Sequence, residues 1–354
     1  MSVYYSSLKF LRFQDRLEAL KKGDLAAPVH IRVKPTNRCN HNCWYCCYRT
    51  GDLTLGEEMS LQDSIPGEKM IELAHEFVEM GVKAVTFSGG GEPLLYRPLP
   101  EVIDVLANGG VKVAALTNGA FLKDAVADSF AEHGTWVRIS MDAWNDASYV
   151  KSRGARPGAF SALVSNIESF IARKSNCVLG ISFIVTHENH GHIFDVVTML
   201  KRCGVNHVKV SGAVVSDNAA GNNAYHASIK DEVARQITRA NDLQDESFAV
   251  LNHYHDLEEL FEKRYTTCPF LQFLVVVGAD QQVYTCQDKA YTASGKMGSL
   301  DGRSFRDFWF SSRNRDFLKS FNPSASCGHH CVSHTKNLAI LDYLNLDEEH
   351  GYFV

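Results

Sequence analysis

Seven of the ten cysteines in this chain fall into two groups whose spacing suits metal chemistry. The first group, Cys39, Cys43 and Cys46, occupies eight residues directly after a short apolar segment. The second group lies near the C-terminus and consists of Cys268, Cys286, Cys327 and Cys331. Thiolate sulfur favours zinc and iron–sulfur clusters, so each group is a candidate metal centre.

The first group offers three thiolates rather than four. A structural zinc site normally has four protein ligands, and His41 or Cys47 is available as a fourth one. Three cysteines can instead hold a [4Fe–4S] cluster in which one iron stays open for a substrate or cofactor. The spacing favours the cluster, because adjacent residues such as Cys46 and Cys47 seldom both reach the same cubane.

The second group can close a tetrahedral zinc site or ligate every iron of a further cluster. Cys268 and Cys286 bracket a predicted β-hairpin, and the other two cysteines precede a predicted terminal helix. His329 and His330 are alternative ligands if one cysteine is not used. We expect both histidines to be exposed loop residues.

Composition and charge narrow the class of protein. The 354 residues carry 36 Lys and Arg against 41 Asp and Glu, a net charge of −5, which gives no electrostatic footprint for nucleic acid. The sequence shows no secretory leader and no apolar run of transmembrane length, about 20 residues. We therefore expect a cytoplasmic protein without membrane or nucleic-acid partners, in which clustered cysteines bind metal or do redox chemistry.

Short apolar runs alternate with amphipathic stretches through the first two thirds of the chain. Such alternation predicts βαβ units and a parallel sheet, either an open partial barrel or a doubly wound sheet. The six predicted strands are 30–34, 84–88, 113–117, 136–141, 178–185 and 207–211. The predicted helices between and after them are 67–80, 99–108, 124–133, 159–173, 192–203 and 227–243. In both folds, functional residues gather at the carboxyl ends of the strands.

The same patterns divide the chain into three parts. We predict a helical lead-in over 1–27, an α/β domain over 28–245 and a smaller α+β unit over 246–354. The small unit is predicted to contain hairpin strands at 271–277 and 283–286 and helices near 304–310 and 336–344. No low-complexity linker separates the two larger parts, so we expect them to pack together.

The cysteine spacing Cys39-x₃-Cys43-x₂-Cys46, with the aromatic Tyr45 before the last cysteine, resembles that of the radical S-adenosylmethionine (SAM) enzymes. The resemblance implies a partial (β/α)6 TIM barrel, a [4Fe–4S] cluster and bound SAM. In the family, this cluster donates an electron to SAM and a 5′-deoxyadenosyl radical forms. That radical abstracts hydrogen from an unactivated C–H bond.

A glycine-rich segment supports the same resemblance. In the family, a Gly-Gly-Glu segment after the second strand binds the amino group of SAM, and Gly90, Gly91 and Glu92 match it here. Glycine permits a close backbone approach, and a carboxylate can accept hydrogen bonds from an ammonium group. One extra glycine, Gly89, leaves the register of this match open.

Three further matches concern single polar residues. By resemblance, Asn118 contacts SAM, Ser140 binds its ribose, and Arg153 holds its carboxylate, which a guanidinium suits. Each residue also has a structural alternative: a turn at Asn118, a strand position at Ser140 and a solvated loop cation at Arg153.

The second cysteine group resembles the twitch or SPASM extensions that follow the barrel in this family. Two cysteines that a full SPASM domain places before the last pair are absent, which favours the shorter twitch type with one auxiliary [4Fe–4S] cluster. A cluster ligated fully by cysteine can accept or relay an electron. Family members of this kind include a dehydrogenase of an aminocyclitol alcohol, sugar dehydrogenases, epimerases and peptide-modifying enzymes.

The resemblance therefore implies an oxidoreductase that acts on a hydroxylated small molecule, such as a sugar, aminocyclitol or nucleotide-sugar. Alcohol oxidation with the auxiliary cluster as electron acceptor is the leading interpretation, with a flavodoxin-type or ferredoxin-type protein as electron donor. Epimerisation of a sugar, radical modification of a peptide, and a non-catalytic iron–sulfur or zinc protein are the alternatives. A peptide is less favoured, because little sequence precedes Cys39 to form a recognition domain.

Candidate substrate contacts follow from polar residues at strand ends. Asp142 and Lys209 are predicted to read hydroxyl groups, and Cys47 is a candidate hydrogen-atom donor. The loops 186–190 and 252–256 are further candidates. The remaining cysteines, Cys177 and Cys203, are expected to be buried as small apolar residues.

Overall fold

The structure is a computed structural model that describes residues 5–51, 53, 55–254, 261–347, 349 and 352–353. Within them lie the strands β1 (His30–Val33), β2 (Ala84–Phe87), β3 (Lys112–Thr117), β4 (Gly134–Ser140), β5 (Val178–Val185), β6 (His207–Gly212), β7 (Ala249–His253), β8 (Leu274–Val277), β9 (Gln282–Tyr284) and β10 (Lys296–Ser299). They form one sheet in the order β10-β9-β8-β1-β2-β3-β4-β5-β6-β7.

The strands β1 to β7 are all parallel, which confirms the predicted α/β fold. All six predicted strands are present, with ends shifted by a few residues. A seventh parallel strand, β7, lies where the sequence predicted only a connection between two units. The apolar run from Phe248 to Leu251 is its signal, and it is too short to be told from a loop without its pairing partner.

The predicted hairpin belongs to the same sheet as the barrel strands. Strand β8 pairs in parallel with β1, with His30 opposite Leu274, and β9 and β10 continue as antiparallel neighbours. Val275, Val276 and Val277 are fully buried, as expected for a strand covered on both faces. The C-terminal part thus extends the sheet rather than packing against it as a separate layer.

The helices mostly follow the predicted pattern. They are α1 (Gln14–Lys22), α2 (Gly67–Glu79), α3 (Leu99–Asn108), α4 (Asp124–His133), α5 (Asp146–Arg153), α6 (Ala159–Ile171), α7 (Ile193–Cys203), α8 (Ala219–Ala227), α9 (Lys230–Asn241), α10 (Phe305–Trp309), α11 (Ser312–Ser320), α12 (Pro323–Ser326) and α13 (His334–Leu344). The helix predicted over 227–243 is present as α9 with slightly shorter ends, and α8 before it was not predicted. Among the described residues, no helix combines the length and apolar character needed to cross a bilayer.

Helix α5 was not predicted, although the sequence carries a signal for it. The Asn145 side chain accepts a hydrogen bond from the Ser148 backbone, and the Ser148 side chain bonds back to Asn145. This capping box fixes the start of the helix. Gly154, with a φ of 55°, ends it.

The two faces of the sheet differ in character, and this difference positions the site. Ile31, Val137 and Val208 are fully buried in the main hydrophobic core with the surrounding helices. Because side chains alternate along a strand, their neighbours point to the opposite face. On that opposite face the strands carry polar and charged side chains such as Arg32 and Lys209.

The N-terminal and C-terminal segments pack together outside the main core. A 3₁₀ helix, Ser7–Arg12, precedes α1, so the predicted lead-in helix is divided in two. Phe10 and Leu17 form a small apolar cluster with Phe273 and Ile340. The first residues of the described chain are therefore held against α13.

Candidate active site

The first cysteine group lies on the loop that follows β1. The Cys46 amide donates to the Cys43 carbonyl at 3.2 Å, and the Asn42 amide donates to the Arg153 carbonyl at 2.8 Å. Burial raises the pKa of the Cys39 thiol to about 11 and also raises that of Cys46. Without metal these thiols hold their protons at neutral pH, and a bound metal would displace them.

The thiols of the first group are not gathered at the spacing of a zinc site. Four thiolates around zinc lie about 3.8 Å apart, since each Zn–S bond is about 2.3 Å long. Among the described residues, no three cysteine thiols lie within 4.8 Å of one another. The assignment of an iron–sulfur cluster to this loop rests on the cysteine spacing in the sequence.

The alternative zinc ligand His41 packs against α5, and its Nδ1 atom is buried without a hydrogen-bond partner among the described residues. Its ring packs edge-on against Tyr149 with centroids 5.5 Å apart, and the side chain is 5% exposed. Burial and the charge of Arg153 lower the pKa of His41 to about 4. The histidine therefore fixes the cysteine loop on α5 as a neutral, packed ring.

The glycine-rich segment packs against the residues that lead into the cysteine loop. The Gly91 amide donates to the Thr36 carbonyl at 3.2 Å, and the Glu92 amide donates to the Arg38 carbonyl at 2.9 Å. A Cβ atom on Gly90 would lie 1.9 Å from the Asn37 side chain, and one on Gly91 would lie 2.1 Å from the Arg38 carbonyl. Only glycine can pass this close to the residues that lead into Cys39.

Glu92 is 2% exposed and is held by three donors. The Leu94 amide donates at 3.0 Å, the Thr117 hydroxyl at 2.6 Å and the Asn118 amide at 2.7 Å. Burial raises the pKa of the Glu92 carboxyl, although these bonds oppose the rise. A carboxylate has about four acceptor positions, so one remains for an ammonium group such as that of SAM.

Asn118 supports this carboxylate and also reaches the cysteine loop. Its side-chain amide donates to Asn40 at 2.8 Å, and its side-chain oxygen accepts from the Ala120 amide at 3.0 Å. Both ends of the side chain are thus used within the protein. Asn118 aligns Glu92 with the residue next to Cys39, and a direct contact with SAM stays a prediction.

A buried ion pair connects the fourth strand with the cysteine loop. The Asp142 carboxylate accepts hydrogen bonds from the Arg153 guanidinium and the Tyr45 hydroxyl, and from the Ile184 amide at 2.6 Å. Another nitrogen of the same guanidinium lies 3.8 Å from the Cys43 sulfur. Asp142 is 2% exposed.

The structure gives Asp142 and Arg153 partners that the sequence did not indicate. The Asp142 carboxylate binds three protein donors and so positions Tyr45 and Arg153, and a contact with a substrate hydroxyl stays a prediction. Arg153 lies at the end of α5 and not on a solvated loop. Its Nε atom is buried without a partner among the described residues, which leaves one donor for a SAM carboxylate.

Ser140 lies on the face of the sheet that carries Arg32 and Lys209, which we call the open face. There, Ser140 lies opposite Ser182 on β5, and Ser182 lies opposite Lys209 on β6. We call these three residues the polar row. Burial lowers the pKa of Lys209 to about 7, with a further contribution from neighbouring cations. The row offers two hydroxyls and an amine on adjacent strands, which suits a hydroxylated ligand.

Lys34, at the end of β1, is a residue that the sequence reasoning missed. Its ammonium donates to the Gly89 carbonyl at 2.5 Å and to the Tyr48 oxygen at 2.7 Å, and the side chain is 1% exposed. Burial lowers its pKa to about 7. The sequence contained a signal for Lys34. Arg32 and Lys34 alternate along the first strand, and a parallel strand of this kind is buried in both α/β folds that the sequence predicts.

The four cysteines of the second group converge from three segments of the chain, since Cys327 and Cys331 share the loop between α12 and α13. Cys268 interacts electrostatically with Cys327 and Cys331, and Cys286 interacts with all three. Burial is the first cause of the raised pKa of every thiol in this group. No three of these four thiols lie within 4.8 Å of one another in the part of the chain that the structure describes.

Two non-cysteine side chains join the second group. The ligand atoms of Cys286, Asp288 and His329 lie within 4.8 Å of one another. His329 is 9% exposed, and its Nε2 atom has no partner among the described residues. The expectation that His329 and His330 are exposed is wrong, because His329 is buried and His330 is partly covered beside Phe261.

The three remaining cysteines occupy different environments. Cys47 lies close enough to Cys46, Lys34 and Asp288 for their charges to interact, and burial raises the pKa of its thiol to about 12. Cys177 is 6% exposed in the main core, as expected. Cys203 is partly exposed at the end of α7.

The two candidate substrate loops differ in what they contribute. In the first, the Asn189 amide donates to the carbonyls of Asp142 and Ile184 at 2.9 and 2.8 Å, so this side chain holds strand ends in place. In the second, the His253 ring packs against Tyr5 at 5.2 Å. His255 and Asp256 lie outside the described residues.

Comparison with known sequences identifies the barrel. The profile of the Radical SAM superfamily matches residues 33–200. A probable GTP 3′,8-cyclase of Methanosarcina acetivorans is 32% identical over 145 residues, which cover 40% of this chain and 41% of the relative. An Fe-coproporphyrin III synthase of Methanosarcina barkeri is 26% identical over 155 residues, 44% of this chain and 36% of the relative. The matches thus span about two fifths of these curated relatives.

Solved structures extend the likeness to nearly the whole fold. Streptococcus suis SuiB, bound to the precursor peptide SuiA, superposes with a TM-score of 0.63 at 14% identity, covering 95% of this chain and 76% of that chain. anSMEcpe with bound AdoMet gives a TM-score of 0.59 at 17% identity, covering 90% and 96%. These likenesses show the fold alone. Residues 33–200 match the Radical SAM superfamily, and this part of the chain forms a radical SAM domain.

Proposed function

We propose that this protein is a radical SAM oxidoreductase that oxidises an alcohol group of a hydroxylated small molecule. The observation that carries the proposal is the meeting of the two cysteine segments. The Tyr48 hydroxyl, two residues after Cys46, donates to the carbonyl of Gln287, the residue after Cys286, at 3.0 Å. A substrate on the open face of the sheet would therefore lie near both centres.

The residues of the first centre fit the cofactors of the family. Cys39, Cys43 and Cys46 would hold the [4Fe–4S] cluster, and Glu92 would accept the amino group of SAM. When bound, these groups supply a 5′-deoxyadenosyl radical that removes a hydrogen atom, and an auxiliary cluster in the second group supplies an acceptor for the released electron. An external electron donor of the flavodoxin or ferredoxin type completes the proposal.

The protein's own side chains would orient the substrate and accept the proton that its alcohol group loses. Ser140 and Ser182 provide hydroxyls on adjacent strands. Lys34 lies between the two cysteine segments, and its lowered pKa gives it an appreciable neutral fraction near pH 7. Its Nζ atom could then accept the proton of the alcohol as the carbonyl forms.

Epimerisation is a second candidate, favoured by the position of Cys47. Its thiol interacts with Lys34 and Asp288, and burial keeps it protonated. A protonated thiol can return a hydrogen atom to a substrate radical. Solvent deuterium would appear in the product of an epimerase, whereas a dehydrogenase would give a carbonyl product.

Cyclisation of a nucleotide is a third candidate, favoured by the relatives named as probable GTP 3′,8-cyclases. Their matches cover only about two fifths of the chain. Incubation with GTP and analysis of the nucleotide products would test this candidate directly.

The first experiment is anaerobic reconstitution followed by iron analysis and a SAM-cleavage assay with dithionite. We expect about eight irons per chain from two four-iron clusters and slow formation of 5′-deoxyadenosine. About four irons with SAM cleavage would remove the auxiliary cluster from the proposal. A protein with a full complement of iron that cleaves no SAM would contradict radical chemistry and favour a non-catalytic iron–sulfur protein.

A further inference from the structure

Four cations converge on the open face of the sheet from elements that are distant in the sequence. They are Arg32 on β1, Arg138 on β4, Lys209 on β6 and Lys336 on α13. Burial lowers the pKa of Lys209, and so do the charges of the other three. Burial likewise lowers the pKa of Lys336, and Arg32 adds to the effect. The four side chains therefore share one electrostatic environment.

Little negative charge from the described residues balances this cluster. Among the described residues, none of the four cations forms an ion pair. Within the part of the chain that the structure describes, the Nε atoms of Arg32 and Arg138 are buried without a hydrogen-bond partner. Asp288 attracts Arg32 and Lys336, but the described charges that act on Lys209 are all positive. Like charges held together out of water are costly unless an anion joins them.

The cysteines of the second group do not account for the whole cluster. Arg32 interacts with Cys286, and Lys336 with Cys331, so these two cations would also face a bound auxiliary cluster. Lys209 interacts with none of the cysteines. Its ammonium instead lies 5.7 Å from the Tyr5 ring, and the Tyr5 hydroxyl accepts a hydrogen bond from Arg138.

We infer that Arg32, Arg138, Lys209 and Lys336 form the binding site for a phosphoryl group of the substrate. A phosphoryl or pyrophosphoryl group brings two or more negative charges and several acceptor oxygens, which guanidinium and ammonium groups bind together. A single carboxylate would leave most of the cluster unbalanced.

The position of the cluster connects it to the reacting part of the site. Arg138 lies two residues before Ser140 on the same face of β4, and Lys209 lies in register with Ser182. An anion bound here would place attached hydroxyl groups along the polar row. Resting on the proposed function, the inference narrows the substrate class to phosphorylated, hydroxylated molecules such as sugar phosphates or nucleotide-sugars.

The test uses inorganic pyrophosphate as the probe and the reconstituted, full-length protein. We expect isothermal titration calorimetry to show binding that weakens as salt is raised, because the contacts are ionic. Lys209→Met and Arg32→Gln should each weaken binding about tenfold, consistent with the loss of one charge-assisted contact. Lys209→Arg, which keeps the charge, should retain binding, and the exposed matched control Lys319→Met should leave it unchanged.

Equal binding by the wild type, Lys209→Met and Arg32→Gln would overturn the inference, since pyrophosphate would then bind elsewhere. No binding by the wild type, or tighter binding of succinate than of pyrophosphate, would overturn it as well. SAM cleavage by the same preparation is measured in parallel. Cleavage without pyrophosphate binding would refute only the phosphoryl site, whereas binding without cleavage would refute only the proposed radical chemistry.

Discussion

The two cysteine groups reach a similar arrangement by opposite routes. The three cysteines of the first group share one loop of eight residues. The glycine segment and α5 both form hydrogen bonds with this loop or with the residues that lead into it. The four cysteines of the second group come from three segments that are spread between Cys268 and Cys331. A site of the first kind is recognisable from spacing, whereas a site of the second kind exists only once distant elements have come together.

Their electrostatic surroundings are of the same kind. Burial is the main cause of the raised pKa values of Cys39 and Cys46 in the first group and of all four thiols in the second. Neighbouring charges of both signs act on each group. Glu92 raises and Arg49 lowers the pKa of Cys39, and Asp288 raises and Lys263 lowers the pKa of Cys331.

The largest expected effect is the loss of the first centre. Cys46→Ala should abolish 5′-deoxyadenosine formation and lower the iron content by about four atoms per chain, because two cysteines cannot retain the cluster. The matched control is Cys203→Ala at the end of α7, which should keep both. Residual SAM cleavage above background in Cys46→Ala would contradict the assignment of this ligand.

Loss of the second centre should separate two activities. Cys286→Ala should still cleave SAM but should lose product formation, since no acceptor would remain for the substrate electron. Iron content and the ratio of 5′-deoxyadenosine to product measure the two effects. If product formation survives, the second site is structural, and the functional difference between the groups disappears.

Breaking the buried ion pair between Asp142 and Arg153, which contacts the first cysteine loop, should strongly lower the stability of the protein. Asp142→Asn leaves the Arg153 charge buried without compensation, and breaking such a pair costs about 3–5 kcal/mol of unfolding free energy. Urea denaturation of the metal-free protein measures this change. Asp245→Asn, which breaks an exposed pair with Lys201, should have little effect. Equal stability of the two variants would show that Asp142 is not a positioning residue.

The smallest expected effect concerns Cys47, which lies between the two groups. For a dehydrogenase, Cys47→Ser should change SAM cleavage and product yield by less than about threefold, because the residue neither ligates nor donates hydrogen. For an epimerase, the same variant should lose epimerised product and accumulate a dehydrogenated one. Product analysis by mass spectrometry in D₂O distinguishes the two outcomes.

The sequence revealed the local features of the site more fully than the long-range ones. The cysteine spacing, the glycine segment and the six strands all depend on residues close in sequence. Asp142 and Arg153 were noticed singly, but their pairing with each other and with Tyr45 depends on the packing of α5 against the cysteine loop. The parallel partner of β8 could not be predicted either, because a four-residue apolar run carries no information about which strand it joins.

The hydrogen bonding of β8 to β1 also has a consequence for synthesis of the chain. One edge of β1 has no strand partner until residues near 274 have left the ribosome, long after β2 has become available. Such distant pairing slows folding and leaves an unpaired edge open to aggregation. The nascent protein would therefore depend on its last third to protect its first strand, and truncation before β8 should yield insoluble chains.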